Sequence, residues 1–108
     1  MPEAQCIRYP VKPGRREMLV NWITGLEDRS EELVEALTEA GVVAEAVFLE
    51  KSAKGDYVLI YTSAQDLRAG IEKLSNSKLS LVQEFNQVLD ESVDLENAVS
   101  LELIYHTP

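Results

Sequence analysis

The sequence predicts an α+β fold whose elements follow one another in the order βαββαβ. Apolar runs typical of strands occupy residues 5–11, 42–49, 57–62 and 98–105. A long helical pattern separates the first two runs, a short turn joins the second and third, and further helical pattern precedes the last. This split-βαβ order is that of the ferredoxin-like fold, with an antiparallel sheet. Because its crossover connections have the same hand, all helices are expected on one face of the sheet.

The first helical pattern extends from residue 13 to about residue 40. Pro13 and Gly14 end the first strand, and apolar residues then recur every three or four positions as far as Leu26. The apolar stripe resumes further along, and Gly41 stands where a glycine commonly ends a helix. The sequence therefore predicts a long helix that stops at Gly41.

A polar interruption at residues 25–31 divides this helix and has two interpretations. Either the helix bends here, with Asp28 and Glu31 forming a capping box for a second segment, or it continues and Arg29 points inward. Both interpretations place the interruption at the same point of the chain.

The remaining elements are shorter. Residues 50–56 contain the Lys-Gly-Asp chemistry typical of a hairpin loop. Two helical patterns follow at residues 64–74 and 79–89, separated by the break signal Ser-Asn-Ser at residues 75–77. A chain of this length supports one hydrophobic core, so residues 1–108 are interpreted as one domain.

Composition argues against several classes of function. The formal net charge is −9, from 19 acidic and 10 basic residues, and such a surface repels phosphate backbones, so no nucleic-acid partner is expected. The single cysteine, Cys6, excludes an internal disulfide and any CxxC motif. No apolar run approaches the roughly 18 residues of a membrane span, so no membrane partner and a cytoplasmic location are expected.

Both faces of the predicted sheet are apolar. Residues 57–61 carry large side chains on both sides of the strand, and Val43, Val47, Leu49 and Ile104 are assigned to the face without helices. An antiparallel sheet with one face in water normally shows polar residues there. A second copy covering that face is the simplest explanation, so the sequence predicts a homodimer formed through the open sheet face.

Three segments carry a resemblance to a known superfamily. Residues 6–15 read Cys-Ile-Arg-Tyr-Pro-Val-Lys-Pro-Gly-Arg, a strand and turn that precede a helix carrying Trp22, and residues 45–50 and 55–61 form the next two strands. In these features the chain resembles a small uncharacterised bacterial family of the dimeric α/β-barrel superfamily, which contains the antibiotic-biosynthesis monooxygenase-like domains. The resemblance covers roughly residues 5–63 and implies the fold.

No catalytic residue, metal site or cofactor is predicted. Cys6 could be activated only by His106, and no glycine-rich elbow is present to supply an oxyanion hole. His106 is the only histidine, so no helix supplies an axial haem ligand. The resembling family carries histidines after the third strand, where this chain has Ser-Lys-Leu-Ser at residues 77–80, so a histidine-dependent activity is not expected.

The charged residues of the strands are given a structural role. Arg8 lies on the strand face opposite Tyr9, and Glu45 and Glu102 are assigned to the same side as Arg8. A pair between Arg8 and Glu102 across neighbouring strands would fix the register of a dimer interface.

The first functional hypothesis is a homodimer that binds a small apolar or aromatic molecule in a cleft between helices and sheet. This cleft is expected to be lined by Tyr9, Trp22, Phe48 and Tyr105, with Arg29 as its polar anchor if it points inward.

Two alternatives remain open. A cofactor-independent monooxygenase, suggested by the resemblance, requires a dry cleft and a few polar anchors such as Asn21, because the substrate itself can activate oxygen. A structural or protein-interaction module would instead use the acidic helical surface.

Overall fold

The sheet and its helices follow the predicted order. The computed structural model describes residues 2–108, and its elements are β1 (Glu3–Pro10), α1 (Arg16–Thr24), α2 (Ser30–Ala40), β2 (Val42–Ser52), β3 (Gly55–Ala64), α3 (Leu67–Ser75), α4 (Ser80–Ser92) and β4 (Val99–Ser100). The strands form one sheet in the order β2-β3-β1-β4, and all neighbours are antiparallel. This arrangement confirms the ferredoxin-like α+β fold.

The interruption in the first helix is a bend. A 3₁₀ turn at Gly25–Arg29 separates α1 from α2. The capping box is not formed, because no side chain caps the start of α2. Gly41 ends α2 as predicted: its φ is 72°, in the left-handed region that favours glycine, and its N–H donates to the carbonyl of Leu37.

The last strand is much shorter than the predicted run at residues 98–105. β4 pairs with β1 only at Val99 and Ser100, and the N–H of Leu101 then donates to the carbonyl of Cys6 at 2.9 Å. Beyond this point the chain leaves the edge of β1, and His106 docks against Tyr61 on β3. The terminal segment, residues 101–108, therefore has no regular secondary structure.

Strand pairing assigns each side chain of β2 to a face of the sheet. Val47 and Leu49 pair with Ile60 and Val58, which are buried beneath the helices. This corrects the assignment of Val47 and Leu49 to the open face. The sequence could not decide the question, because both sets of alternate side chains in β2 are apolar and a one-residue change exchanges the two faces.

The core lies between the helix face of the sheet and the helices. One buried cluster centres on Leu19 of α1 with Val58, Ile60 and Val93, and a second on Ala36 of α2 with Leu81 and Val82 of α4. Between residues 2 and 108, no helix has both the length and the apolar character needed to cross a membrane.

Candidate functional site

A cavity of about 150 Å³ lies between the helix face of the sheet and the helices. Its walls are mainly apolar and come from α1, α2, α3 and α4 and from strands β1, β2 and β3. The amphipathic patterns found in the sequence produce this arrangement, since each helix turns its apolar stripe toward the sheet. The space is therefore left where the bent first helix and α4 meet over the sheet.

Aromatic side chains form part of the wall. The rings of Trp22 on α1 and Phe85 on α4 stack at 5.6 Å between centroids with 19° between planes. Tyr9 on β1 also lines the cavity, and burial raises the pKa of its hydroxyl group. Tyr9 and Trp22 therefore line the cavity between helices and sheet where they were predicted from the sequence, whereas Phe85 was not predicted to line it.

The sheet wall of the cavity carries polar side chains. Glu45 on β2 and Gln5 on β1 both pair with Thr62 of the intervening strand β3, so the three residues form a row across the helix face. All three line the cavity. From the sequence, Glu45 was assigned to the open face, and the pairing with Thr62 corrects that assignment. As for Val47, alternation could not decide the face, because β2 has apolar side chains on both sides.

The carboxyl group of Glu45 is poorly solvated. Burial raises its pKa, and the hydrogen bond from the Thr62 hydroxyl partly opposes this effect. That bond is long, at 3.5 Å between Oγ1 of Thr62 and Oε2 of Glu45. Within residues 2–108 it is the one side-chain hydrogen bond that Glu45 makes. The carboxylate thus keeps unused capacity to accept hydrogen bonds inside a mainly apolar cavity.

Arg29 does not reach this cavity. Its guanidinium donates to both carboxylate oxygens of Glu84 on α4, at 3.0 and 2.9 Å, and its Nη2 donates to Glu32 on α2 at 2.7 Å. The pKa of Glu84 is lowered chiefly by Arg29, with a smaller contribution from the indole of Trp22. Arg29 was expected to anchor a ligand only if it pointed inward, and this condition is not met: Glu84 and Glu32 hold it between two helices, and it does not line the cavity.

Phe48 and Tyr105 also lie outside the cavity lining. Phe48 pairs with Leu59, on the side of the sheet away from the buried residues of β3, and is 59% exposed. Tyr105 belongs to the terminal segment and is 76% exposed. Their placement in the cleft is corrected, because Phe48 alternates with the helix-facing Val47 and because β4 stops at Ser100.

The open face of the sheet carries its own polar contacts. Nε of Arg8 donates to Glu50 at 2.8 Å, and the guanidinium lies 3.5 Å above the ring centroid of Tyr57. The predicted pair of Arg8 with Glu102 is therefore replaced by a pair with β2. Within the terminal segment, Nε2 of His106 lies 2.6 Å from the hydroxyl of Tyr61.

Sequence comparison assigns the chain to a family. The family model "Family of unknown function (DUF6176)" matches residues 2–108. The chain belongs to this family. No curated protein matches its sequence significantly.

Solved structures similar to this DUF6176 member share its fold. A protein from Bacteroides thetaiotaomicron, provisionally named an antibiotic biosynthesis monooxygenase, has a TM-score of 0.64 at 16% identity, covering 99% of this chain and 91% of its own. Rv0793 from Mycobacterium tuberculosis has a TM-score of 0.58 at 15% identity, covering 100% of both chains. NE2512 from Nitrosomonas europaea, a protein of unknown function, has a TM-score of 0.56 at 19% identity, covering 97% of this chain and 91% of its own. The resemblance to monooxygenase-like domains is thus confirmed for the fold.

The polar row of this DUF6176 member was missed in the sequence, although a signal for it exists. Residues 42–49 of β2 contain one acidic residue, Glu45, among apolar neighbours. Polar residues also occur in β3, which pairs with β2, and in β1, which pairs with β3. Gln5 in β1 and Thr62 in β3 are among the polar residues of those strands. Only the strand register shows that Glu45, Thr62 and Gln5 lie side by side.

Proposed function

We propose that this protein binds a small, mainly apolar molecule of about one aromatic ring in the cavity between sheet and helices. The cavity itself is the observation that supports this proposal. An engineered apolar cavity of about 150 Å³ is large enough to hold benzene, and the present cavity has that volume.

The lining suits an aromatic ligand. Trp22 and Phe85 already stack on one another, and a bound ring can add an edge-to-face or offset contact to such a pair. Trp22 is the only tryptophan of the chain, so its fluorescence reports on the cavity.

Titration with toluene, followed by the emission of Trp22, tests this proposal. We expect a saturable change in the wild type and its loss in Ala36→Leu, because Ala36 is buried in the lining and a larger side chain fills the space. Val34→Leu, on the exposed side of the same helix, is the control and should bind as the wild type does. Absence of a saturable change up to the solubility of toluene would refute the proposal, as would unchanged binding by folded Ala36→Leu.

We also propose that the protein is a homodimer in the cytoplasm, joined through the open sheet face. Large apolar side chains are exposed on this face and on the terminal segment beside it, among them Phe48, Leu103 and Ile104, the last being 85% exposed. A second copy would remove these side chains from water, which is a favourable exchange. The acidic surface supports neither a nucleic-acid nor a membrane partner.

A cofactor-independent oxygenase is the second candidate function, and Glu45 is the observation that favours it. A carboxylate in the cavity can accept a proton from a hydroxylated ring. Hydroquinone would then react with dioxygen to give hydroxyquinone and water: one oxygen atom enters the ring, the other leaves as water, and four electrons pass to dioxygen. Oxygen consumption with hydroquinone tests this candidate, and a rate equal to that of buffer alone would exclude it for this substrate.

A further inference from the structure

We propose that Glu45, Thr62 and Gln5 form a subsite that selects small phenols over unsubstituted rings. The inference rests on the proposed function, because it assigns the polar residues in the sheet wall of the same cavity. It adds a chemical class to the ligand: one aromatic ring that carries a hydroxyl group.

The row of three residues is built by the sheet and not by loops. Thr62 lies on the central strand β3 and pairs with Glu45 on one side and Gln5 on the other. Neighbouring strands lie about 4.8 Å apart, so the outer two side chains stand about 10 Å from one another across Thr62. The Glu45 carboxylate leans inward to within 3.5 Å of the Thr62 hydroxyl. Gln5 has a side chain of the same length, so it can lean inward from the other side and both groups can reach a ligand hydroxyl above Thr62.

The groups of this row complement a hydroxyl group. Glu45 is an acceptor whose one side-chain partner is the distant hydroxyl of Thr62. Gln5 makes no side-chain hydrogen bond within residues 2–108, so its amide can donate. A phenol hydroxyl donates one hydrogen bond and accepts another, and it can satisfy Glu45 and Gln5 together.

An ammonium ligand fits these groups less well. It offers only donors, so the amide N–H groups of Gln5 would remain without an acceptor. It would also have to lose its hydration next to a carboxylate that is already poorly solvated, and such desolvation can exceed the attraction within the ion pair. A neutral hydroxyl group avoids this cost and still receives a charge-assisted hydrogen bond.

Comparison of 4-methylphenol with toluene by calorimetric titration at neutral pH tests the subsite. The two probes share a methylated ring and differ in one hydroxyl group. Because a hydrogen bond to a charged group strengthens binding substantially, we expect the Kd of 4-methylphenol to be about tenfold lower than that of toluene. Glu45→Leu should lose this preference and keep toluene binding, and Glu45→Gln, whose amide is a weaker acceptor, should lose most of it. Glu35→Leu, which removes a carboxylate from the exposed side of α2, is the control and should keep the full preference.

The outcomes separate the two proposals. Toluene binding without a preference for 4-methylphenol would overturn the subsite and leave the proposed function standing. A tenfold preference that persists in Glu45→Leu would also overturn the subsite. Failure of both probes to bind wild-type protein would overturn the proposed function itself. Toluene binding by the variants shows that they are folded, so loss of the preference alone supports the assignment of Glu45.

Discussion

Oγ1 of Thr62 lies 3.5 Å from Oε2 of Glu45, and this long contact joins neighbouring strands in the sheet wall of the cavity. It only partly compensates the carboxylate for the hydration lost on burial, so the pKa of Glu45 is raised. The cavity therefore holds a carboxylate that costs stability when it is charged.

Glu45→Gln should stabilise the protein at neutral pH, on the order of 1 kcal/mol, because the amide is uncharged. A carboxyl group whose pKa is raised on folding stabilises the folded state below its unfolded pKa, and this contribution is lost as pH rises through the folded pKa. The advantage of Glu45→Gln should accordingly vanish at acidic pH and grow as pH rises. Urea unfolding across this range measures it. Glu35→Gln on the exposed helix surface should show no such trend, and an advantage of Glu45→Gln that is largest in acid would contradict the assignment.

Arg29→Ala should lower the melting temperature at neutral pH, by a few degrees at most, because its contacts with Glu84 and Glu32 are partly exposed to solvent. The pKa of Glu84 is lowered by Arg29, so the stabilisation is present above the ordinary carboxyl pKa and is lost as pH falls through the folded pKa. The difference between wild type and variant should therefore shrink in acid. Thermal unfolding followed by circular dichroism tests this, with Arg68→Ala on the surface of α3 as control. If the difference in melting temperature between wild type and Arg29→Ala did not change with pH, the ion pair with Glu84 would not be the source of the stabilisation.

Gly70→Ala should destabilise the protein by about 1–3 kcal/mol, as overpacking of a close contact usually does. A Cβ atom at Gly70 of α3 would lie 2.9 Å from the carbonyl oxygen of Ala40, at the end of α2. Gly25→Ala provides a matched comparison: its φ is −65° and nothing lies within 4 Å of its added Cβ. The free energy of unfolding of Gly25→Ala should rise by about 0.4–1 kcal/mol, because alanine lowers the conformational entropy of the unfolded chain. Equal effects of the two substitutions in urea unfolding would rule out the helix contact as the cause.

Phe48→Glu should weaken the proposed dimer, because it places a charge on the open sheet face, at the outer strand β2, where a large apolar side chain is now exposed. Sedimentation equilibrium should show two 12.1 kDa chains per particle for wild type and a larger monomer fraction for the variant. Val34→Glu is the control, since Val34 is 62% exposed on the helix side of the molecule. A wild-type protein that sediments as a monomer at micromolar concentration would refute the dimer.

The sequence predicted the architecture well because its signals are local. The bend after Thr24 and the end of α2 at Gly41 follow from helix stripes, turn residues and glycine, all readable within a few positions. The order of the elements then left few possible topologies, and the ferredoxin-like sheet was among the simplest.

The site was predicted less well because it depends on register. β2 has apolar side chains on both faces, so alternation alone could not decide whether Val47 or Phe48 lies beneath the helices. A register shift between Val42 and Ala44 is also invisible in the pattern. The placement of Glu45 in the cavity depended on the same choice.

Tertiary contacts also decided the role of Arg29 and the course of the terminal segment. Glu84 is 55 residues from Arg29 in the chain, and the pair became evident only once α4 was placed beside the bend. The contact of His106 with Tyr61, 45 residues earlier in the chain, likewise became evident only from the tertiary structure.

A crystal structure of the protein soaked in toluene tests the central claim most directly, because it shows what occupies the cavity. We predict density for one aromatic ring in contact with Trp22 and Phe85, inside the cavity that Glu45 also lines. Ordered water throughout a cavity of unchanged size, with no ring present at saturating toluene, would contradict the claim.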